Sequence, residues 1–324
     1  MAQQKVSPPG KLIDIGGYRL HLNCTGRNGP TVVLIPGGGD FSFDWSLVQS
    51  AVSNSARICS YDLAGFAWSD PGPVPRTLRQ EAFELHELLK AARIKGPYVL
   101  VGHSLGGLIA RVYAEQYPTE VAGMLLIDST HEDTTLFFQG KPTRLRQLAR
   151  SVAIPPVQTM KSAAPKPATQ EQINNFENEL KKSGPPKIRT PFDKLPAAAQ
   201  TMRLWALSQP PKVAGSEGFL AEELQAMFLT RAKQTYPLGD RPLIVLLPKF
   251  QYGNPPRELS ADEWKQIQDE KRRQKLDFMN LSRNSKLILA EKSGHHIQLD
   301  EPEVVISAIR AVVESARRHT KLSP

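Results

Sequence analysis

Apolar residues near the start of the chain form short strand-like runs separated by turns. Residues 12–15 and 18–24 flank the pair Gly16-Gly17, and the second run alternates between apolar and polar positions. Residues 31–35 are instead an unbroken apolar run rich in β-branched side chains. Alternation is typical of a half-exposed antiparallel strand, and an unbroken run is typical of a strand buried on both faces. The pattern predicts a sheet that begins antiparallel and continues parallel.

Further runs of the buried type recur along the chain, with helix-like segments between them. The runs cover residues 57–61, 98–101, 124–127, 243–247 and 286–290. The helix-like segments cover residues 77–92, 105–116, 261–281 and 302–317. Strands that alternate with helices predict a mostly parallel sheet covered by helices on both faces. The fold class is therefore α/β.

The alternation of strands and helices stops between residues 131 and 237. This stretch is rich in Pro, Lys and Gln and carries only helix-like patterns, at 169–182, 195–207 and 220–233. A structureless loop of this length is improbable inside a compact domain. We therefore expect a helical cap or lid at 131–237 over one edge of the sheet, with the core formed by 1–130 and 238–324.

Composition and charge narrow the functional classes. The chain has 324 residues, 40% of them hydrophobic, which suffices for a large core with an insertion. No uninterrupted apolar run approaches the roughly 18 residues of a membrane span, so no membrane span is expected. The net charge of +9 is spread along the chain in runs such as Lys271-Arg272-Arg273. Without interleaved aromatic residues these runs do not predict a nucleic-acid partner. They predict a solvated basic surface, with attraction to anionic surfaces or acidic substrates as the alternative.

One motif carries chemistry by itself. The strand-like run at 98–101 leads through Gly102, His103 and Ser104 to Leu105 and Gly106, where a helix-like segment begins. Small residues on either side of Ser104 allow the sharp strand-to-helix turn that exposes a nucleophilic hydroxyl. The amide of Leu105 would then face an oxyanion at the start of the helix. This context predicts Ser104 as a nucleophile.

From this motif onwards the chain resembles the α/β-hydrolase superfamily, with an eight-stranded, mostly parallel sheet. Three further segments match its pattern. Pro36-Gly37-Gly38-Gly39-Asp40 stands where the superfamily has its oxyanion loop. The superfamily usually has His at the position of Pro36. The segment 61–69 is similar to the Asp-x-x-Gly-x-Gly-x-Ser turn, with Ala67 at the second glycine. Gly294-His295, seven residues before Pro302, looks like the histidine loop.

The resemblance implies a catalytic triad. It places the general base at His295, with His296 as the alternative. The usual position for the acid, after residues 243–247, is followed by a segment without a carboxylate at 248–257. Some superfamily members instead carry the acid after the preceding strand, where Asp128 stands. Glu258 and Asp262 are the alternatives to Asp128.

The resemblance also implies the surroundings of the triad. Gly38 is expected to donate to the oxyanion together with Leu105. Gly39, Phe41 and His103 are expected beside the substrate, although the His103 side chain should point away from the Ser104 hydroxyl. Asp62 is expected to be structural. Four further aromatic residues are candidates for the acyl pocket or for ordinary core, namely Trp45, Trp68, Trp205 and Phe228.

The cysteines and the start of the chain bear on location. In this fold the strand ending near Cys24 lies beside the strand containing Cys59, so the two are either a disulfide or two small buried residues. The start, Met1-Ala2-Gln3-Gln4 with Pro8-Pro9-Gly10 after it, is typical of a mature chain with an added Met. A disulfide would fit a secreted or periplasmic protein. Otherwise we expect a cytoplasmic one.

Together these expectations predict a hydrolase that cleaves small-molecule carboxylic esters through an acyl-enzyme intermediate. No metal or organic cofactor is expected, and the oligomeric state stays open. The same triad is compatible with cleavage of a carbon–carbon bond or a lactone, and with formation of a peracid. A non-catalytic ligand-binding protein of the same fold is the alternative from a different functional class.

Overall fold

The computed structural model describes residues 6–138, 141–150, 154, 157, 167–212, 220–233, 235–249 and 259–323. The strands are β1 (Lys11–Asp14), β2 (Arg19–Thr25), β3 (Thr31–Ile35), β4 (Ile58–Tyr61), β5 (Tyr98–His103), β6 (Val121–Ile127), β7 (Thr135–Phe138), β8 (Lys141–Arg144), β9 (Leu243–Pro248) and β10 (Ser285–Ala290). The α-helices are α1 (Ser46–Val52), α2 (Leu78–Ala91), α3 (Leu105–Gln116), α4 (Gln170–Ser183), α5 (Ala197–Leu207), α6 (Ala221–Arg231), α7 (Ala261–Leu276), α8 (Ile297–Asp300) and α9 (Pro302–Arg318).

Eight of these strands form one sheet in the order β1-β2-β4-β3-β5-β6-β9-β10. β2 is antiparallel to both of its neighbours, β1 and β4, and the remaining pairs are parallel. The predicted α/β class and the change from antiparallel to parallel pairing are both confirmed.

Alternate residues of the central strands feed two separate layers of core. In β3, Val32 and Leu34 pack in the cluster that contains residues of α1 and α9. Val33 and Ile35 pack on the other face, in the cluster that contains residues of α2 and α3. All four side chains are fully buried, because a strand in the middle of a parallel sheet has helices on both faces.

The register of the parallel strands brings the motifs together at one edge of the sheet. Ile35, the last residue of β3, pairs with Gly102 of β5, and His103 pairs with Ile127 of β6. The glycine run, Ser104 and Asp128 therefore all follow paired positions at the carboxyl ends of adjacent strands. In open α/β sheets this edge is where ligands bind.

The segment between β6 and β9 contains α4, α5 and α6, as predicted, and also the antiparallel hairpin β7–β8, which the sequence analysis missed. β8 consists of Lys-Pro-Thr-Arg, which has neither the alternation nor the apolar run typical of a strand. α5 attaches this segment to the core, because Trp205 stacks on Trp68 with ring centroids 5.0 Å apart and Arg203 forms a buried ion pair with Asp44. The boundaries at 131 and 237 stay predictions.

Cys24 and Cys59 occupy paired positions on β2 and β4 and form a disulfide, with Cα atoms 4.0 Å apart. The bond joins residues 35 positions apart and ties the antiparallel edge of the sheet to its parallel part. None of the helices in the described part of the chain has both the length and the apolar character that crossing a bilayer requires.

Candidate active site

Ser104 occupies a strained turn between β5 and α3. Its backbone angles, φ 52° and ψ −119°, are far from those of either element. The turn is held by hydrogen bonds from the Ser104 amide to the Ile127 carbonyl (3.1 Å) and from the Thr130 amide to the Ser104 carbonyl (3.0 Å). Such strain persists only where the surrounding structure enforces it, and it clusters at functional sites.

Glycine is required beside this turn because β5, α3 and β3 approach closely. A Cβ on Gly106 would lie 2.3 Å from the carbonyl oxygen of Ile35, and one on Gly102 would lie 2.4 Å from the carbonyl oxygen of Gly106. Both obstructions are backbone atoms, which cannot swing aside. The glycines of the motif therefore allow the helix to start close to the sheet, with Ser104 at its first turn.

The side chains of Asp128 and His295 form a short hydrogen bond close to Ser104. Asp128 directly follows β6 with φ 39°, and its amide donates to the Leu246 carbonyl at 2.8 Å. The Nδ1 of His295 lies 2.6 Å from Oδ2 of Asp128, whose side chain is 1% exposed. Asp128 therefore accepts a hydrogen bond from Nδ1 of the imidazole and orients the ring, as a triad acid would.

Lys275 of α7 binds the second oxygen of Asp128. Burial works to raise the pKa of Asp128, but the charge of Lys275 and the hydrogen bond from His295 outweigh it and hold that pKa below its usual value. Burial and the nearby charge of His103 lower the pKa of His295, despite the opposing effect of Asp128. At neutral pH the pair is accordingly a carboxylate beside a neutral imidazole, the form in which His can accept a proton.

Asp262, the alternative acid that the structure describes, does not share this position. Asp262 lies in the first turn of α7 and is exposed. Glu258 falls outside the described residues. Of the two histidines, His296 lies with its Nε2 3.5 Å from Oδ1 of Asp40, whereas His295 faces Asp128.

The glycine run after β3 lies against the turn that carries Ser104. A Cβ on Gly37 would lie 3.2 Å from Cβ of Ser104, and one on Gly38 would lie 3.7 Å from Cδ2 of Leu105. Gly39 has φ 76°, a left-handed conformation that favours glycine. Gly38 therefore lies next to Leu105, the residue that follows Ser104.

A cavity of about 1000 Å³ opens over these residues. Ser104, Asp128 and His295 all line it, as do the predicted neighbours Gly38, Gly39, Phe41 and Leu105. Its other walls come partly from the segment between β6 and β9, including Leu136, Leu145, Gln172, Phe176 and Leu207. The volume is at the upper end of the range typical of small-molecule sites.

His103 is not among the cavity-lining residues, so its predicted role as a substrate contact is corrected. Its ring is 1% exposed, with Nδ1 2.9 Å from Asp40 and Nε2 2.9 Å from the carbonyl oxygen of His295. Burial opposes its charge, but the bond to Asp40 raises the pKa of His103. Because both ring nitrogens face acceptors, the doubly protonated ring satisfies both contacts. His103 therefore supports the histidine loop from below.

Asp40, His103 and His296 also form the group of potential metal ligands in the described part of the chain, with donor atoms within 4.8 Å of one another. Oδ2 of Asp40 already pairs with His103, and Oδ1 faces His296. These contacts join the three side chains in one polar network.

Asp62 has the structural role that the turn motif implies. It is fully buried, accepts a hydrogen bond from the Ser42 amide at 2.7 Å and pairs with Nδ1 of His21 at 2.8 Å. Among the aromatic candidates only Phe41 lines the cavity. Trp45 packs in the core below the sheet, Trp68 and Trp205 stack on each other, and Phe228 packs against Arg146.

Sequence reasoning missed the basic and aromatic residues that reach the site from the periphery. Lys271 and Lys275 of α7 line the cavity, as do Lys212, Phe66 and Phe176. The two α7 lysines are four residues apart and so share one helix face. This spacing is the feature of the sequence that could have indicated a common position at the site. The run beginning at Lys271 was predicted to be solvated surface. Its first residue instead lines the cavity.

Comparisons with known proteins agree with this architecture. A chain from Gibberella zeae described as an "AB hydrolase superfamily protein" is 26% identical, over 89% of this chain and 87% of its own length. "Probable transporter efuK" from Hormonema carpetanum is 27% identical over 94% of this chain, which spans only 42% of that protein. An esterase from Thermogutta terrifontis, solved with malate bound, superposes with a TM-score of 0.55 at 21% identity, covering 93% of this chain and 94% of its own.

The family model described as the α/β-hydrolase fold matches residues 30–217, which include the glycine run, Ser104 and Asp128. The matched stretch is more than half of the 324 residues. The chain therefore belongs to the α/β-hydrolase fold family.

Proposed function

We propose that this protein is a serine hydrolase that cleaves carboxylic esters through an acyl-enzyme intermediate. The observation that carries the proposal is the meeting of three side chains at one cavity. Ser104 lies there on a strained turn, and His295 lies there with Nδ1 2.6 Å from buried Asp128. A nucleophile, a base and an orienting carboxylate are the parts that acyl transfer needs.

In the proposed reaction His295 accepts the hydroxyl proton as Ser104 attacks the ester carbonyl carbon. The amides of Leu105 and Gly38 donate to the oxyanion, and the positive end of α3 favours the same charge. The tetrahedral intermediate collapses, the ester bond breaks, and His295 gives the proton to the departing alcohol. Water, deprotonated by the same histidine, then attacks the acyl-enzyme and releases the acid.

Asp128 has two tasks in this scheme. It fixes the tautomer that leaves Nε2 of His295 unprotonated, and it stabilises the imidazolium that forms during attack. Its lowered pKa keeps it ionised over the whole range in which His295 is neutral. Lys275 takes up the second carboxylate oxygen and so holds the acid in one orientation.

The test compares hydrolysis of p-nitrophenyl acetate and p-nitrophenyl octanoate by the wild type and by Ser104→Ala. We expect the variant to lose at least about 10³-fold in kcat, because the covalent route is closed. Ser55→Ala, which changes an exposed serine, should behave as the wild type. A fluorophosphonate probe should add its mass to the peptide containing Ser104.

Equal activity of the wild type and Ser104→Ala would refute the proposal. Labelling at Ser104 without ester turnover would instead favour another serine-dependent reaction, on a carbon–carbon bond or a lactone. Absence of both labelling and turnover would favour a non-catalytic ligand-binding protein of this fold.

We also propose a secreted or periplasmic location. The support is the Cys24–Cys59 disulfide, since such bonds persist in oxidising compartments and are rare in the cytosol. Fractionation of cells that make the native protein should recover it outside the cytoplasm. Recovery in the cytoplasmic fraction with two free thiols would refute this.

A further inference from the structure

The cavity over Ser104 carries more positive than negative charge. Its lining includes four basic side chains, on Arg76, Lys212, Lys271 and Lys275, and two carboxylates, on Glu81 and Asp128. The neutral His295 adds nothing to this balance. Among the lining side chains the cations outnumber the carboxylates by two, and Glu84, which pairs with Arg76 without lining the cavity, offsets one of these charges. The remaining walls are largely apolar.

Three of the four cations have partners within the protein. Arg76 is bound by Glu81 (2.6 Å) and by Glu84 (2.7 Å). Lys275 is bound by Asp128, and Lys212 donates to the backbone carbonyls of Ala67 and Ser69.

Lys271 differs from these three. Within the part of the chain that the structure describes, it has no ion pair and no hydrogen-bond acceptor for its ammonium group, yet it is only half exposed. Burial and the charge of Lys275 lower the pKa of Lys271, and Asp128 only partly offsets them. A half-buried ammonium group without a counter-charge is unfavourable, and binding an anion would relieve it.

Its position on α7 directs this cation to the substrate. Lys271 lies one helical turn before Lys275, on the same helix face, and Lys275 reaches the triad carboxylate. Lys271 is therefore one turn farther from Asp128 along the same cavity wall. An anion bound there would lie in the same cavity as Ser104, Asp128 and His295, within reach of an ester at Ser104.

We propose that Lys271 binds a carboxylate carried by the substrate, so that the preferred esters are half-esters of dicarboxylic acids. This inference rests on the proposed ester hydrolysis. Lys271 is a specificity-determining residue that distinguishes charged from neutral acyl chains, and the apolar walls accommodate the methylene groups between the two ends. The basic surface of the protein, with a net charge of +9, favours the approach of such anions.

The experiment uses two p-nitrophenyl esters of equal length. One is the monoester of adipic acid, with a free carboxylate, and the other ends in the carboxamide. We expect the wild type to favour the carboxylate in kcat/KM by about 10- to 100-fold, as for a hydrogen bond to a charged group. Lys271→Gln should lose this preference and keep its activity on the carboxamide. Lys271→Arg, which retains the charge, should keep most of the preference.

Lys265→Gln is the matched control, because Lys265 lies on the same helix with its side chain 71% exposed. It should behave as the wild type on both esters. Equal wild-type rates on the two esters, or an unchanged preference in Lys271→Gln, would overturn the inference while leaving the proposed function intact.

A binding measurement separates the two proposals. In the Ser104→Ala background, calorimetry should show tighter binding of monomethyl adipate than of its carboxamide counterpart. Lys271→Gln should abolish the difference. If the wild type hydrolyses neither ester, the proposed function fails, and the calorimetric comparison still decides whether Lys271 binds a carboxylate.

Discussion

Replacing Asp128 by Asn tests the site most directly, because the change keeps the shape of the side chain and removes its charge. Asp128 is 1% exposed and lies 2.6 Å from Nδ1 of His295, whose side chain is 37% exposed, so solvent screens the pair only in part. The amide of Asn can also donate to Nδ1, which would select the wrong tautomer of the histidine. Both effects oppose proton transfer from Ser104.

The expected magnitude follows from the electrostatic attraction to Asp128 that the imidazolium would lose. Two unit charges with centres about 4 Å apart interact by about 4 kcal/mol at an effective dielectric constant near 20. At about 1.36 kcal/mol per factor of ten, this corresponds to roughly 10³-fold in kcat. The tautomer error adds to it, so we expect a loss of about 10³- to 10⁴-fold.

The assay measures kcat with a saturating p-nitrophenyl ester, per mole of folded protein. Folding must be checked separately, because Asn also removes the carboxylate that Lys275 binds, and breaking a buried ion pair costs about 3–5 kcal/mol. Circular dichroism and thermal unfolding should show a folded but less stable variant. Asp262→Asn is the control and should match the wild type in both kcat and stability.

A folded Asp128→Asn variant with kcat within tenfold of the wild type would refute the reasoning. The acid would then have to be sought elsewhere, and Glu258→Gln would be the next variant to measure.

Three further predictions concern pH, packing and the disulfide. Since His295 must be neutral to accept a proton and burial lowers its pKa from 6.5, kcat/KM should fall with acidification through an inflection below pH 6.5; an inflection above that value would contradict this. Gly106→Ala would place Cβ 2.3 Å from a backbone oxygen of β3 and should destabilise the fold by at least about 1–3 kcal/mol in thermal unfolding, whereas Gly38→Ala, with no contact under 3.7 Å, should melt as the wild type. Opening the Cys24–Cys59 bond by a double Ala substitution should lower the free energy of unfolding by about 4 kcal/mol for a loop of 35 residues, and equal midpoints in urea would refute this.

The fold was predictable from the sequence because its central strands are continuous apolar runs, which only burial on both faces explains. The run at Thr31–Ile35 is a strand over the predicted residues, and α3 begins and ends at the predicted ones. The position of Ser104 followed from the small residues around it. The local backbone conformation depends on the local residue types, so these strands, this helix and this turn could be predicted without tertiary contacts.

The surroundings of the site were less predictable, since they depend on contacts between distant segments. Lys275 and Asp128 are 147 residues apart, and no local pattern links them. His103 adjoins Ser104 in sequence, yet the alternation of β5 buries its ring against Asp40. Position along the chain thus identified the residues at the strand ends, but not which of them face the cavity.

The sheet fixes the spacing of the site residues, because Ile35 pairs with Gly102 and His103 pairs with Ile127. Ser104, Asp128 and the glycine run each begin within a few residues of a ladder hydrogen bond, so their spacing is set by backbone pairing. A shift of one residue in β3 would move Gly38 by about 3.3 Å and reverse every β3 side chain between the two core layers. The packing of Val32 to Ile35 on two opposite faces therefore keeps the glycine run aligned with Ser104, although these side chains lie away from the site. Loops beyond the strand ends can change in length and sequence while this spacing stays constant.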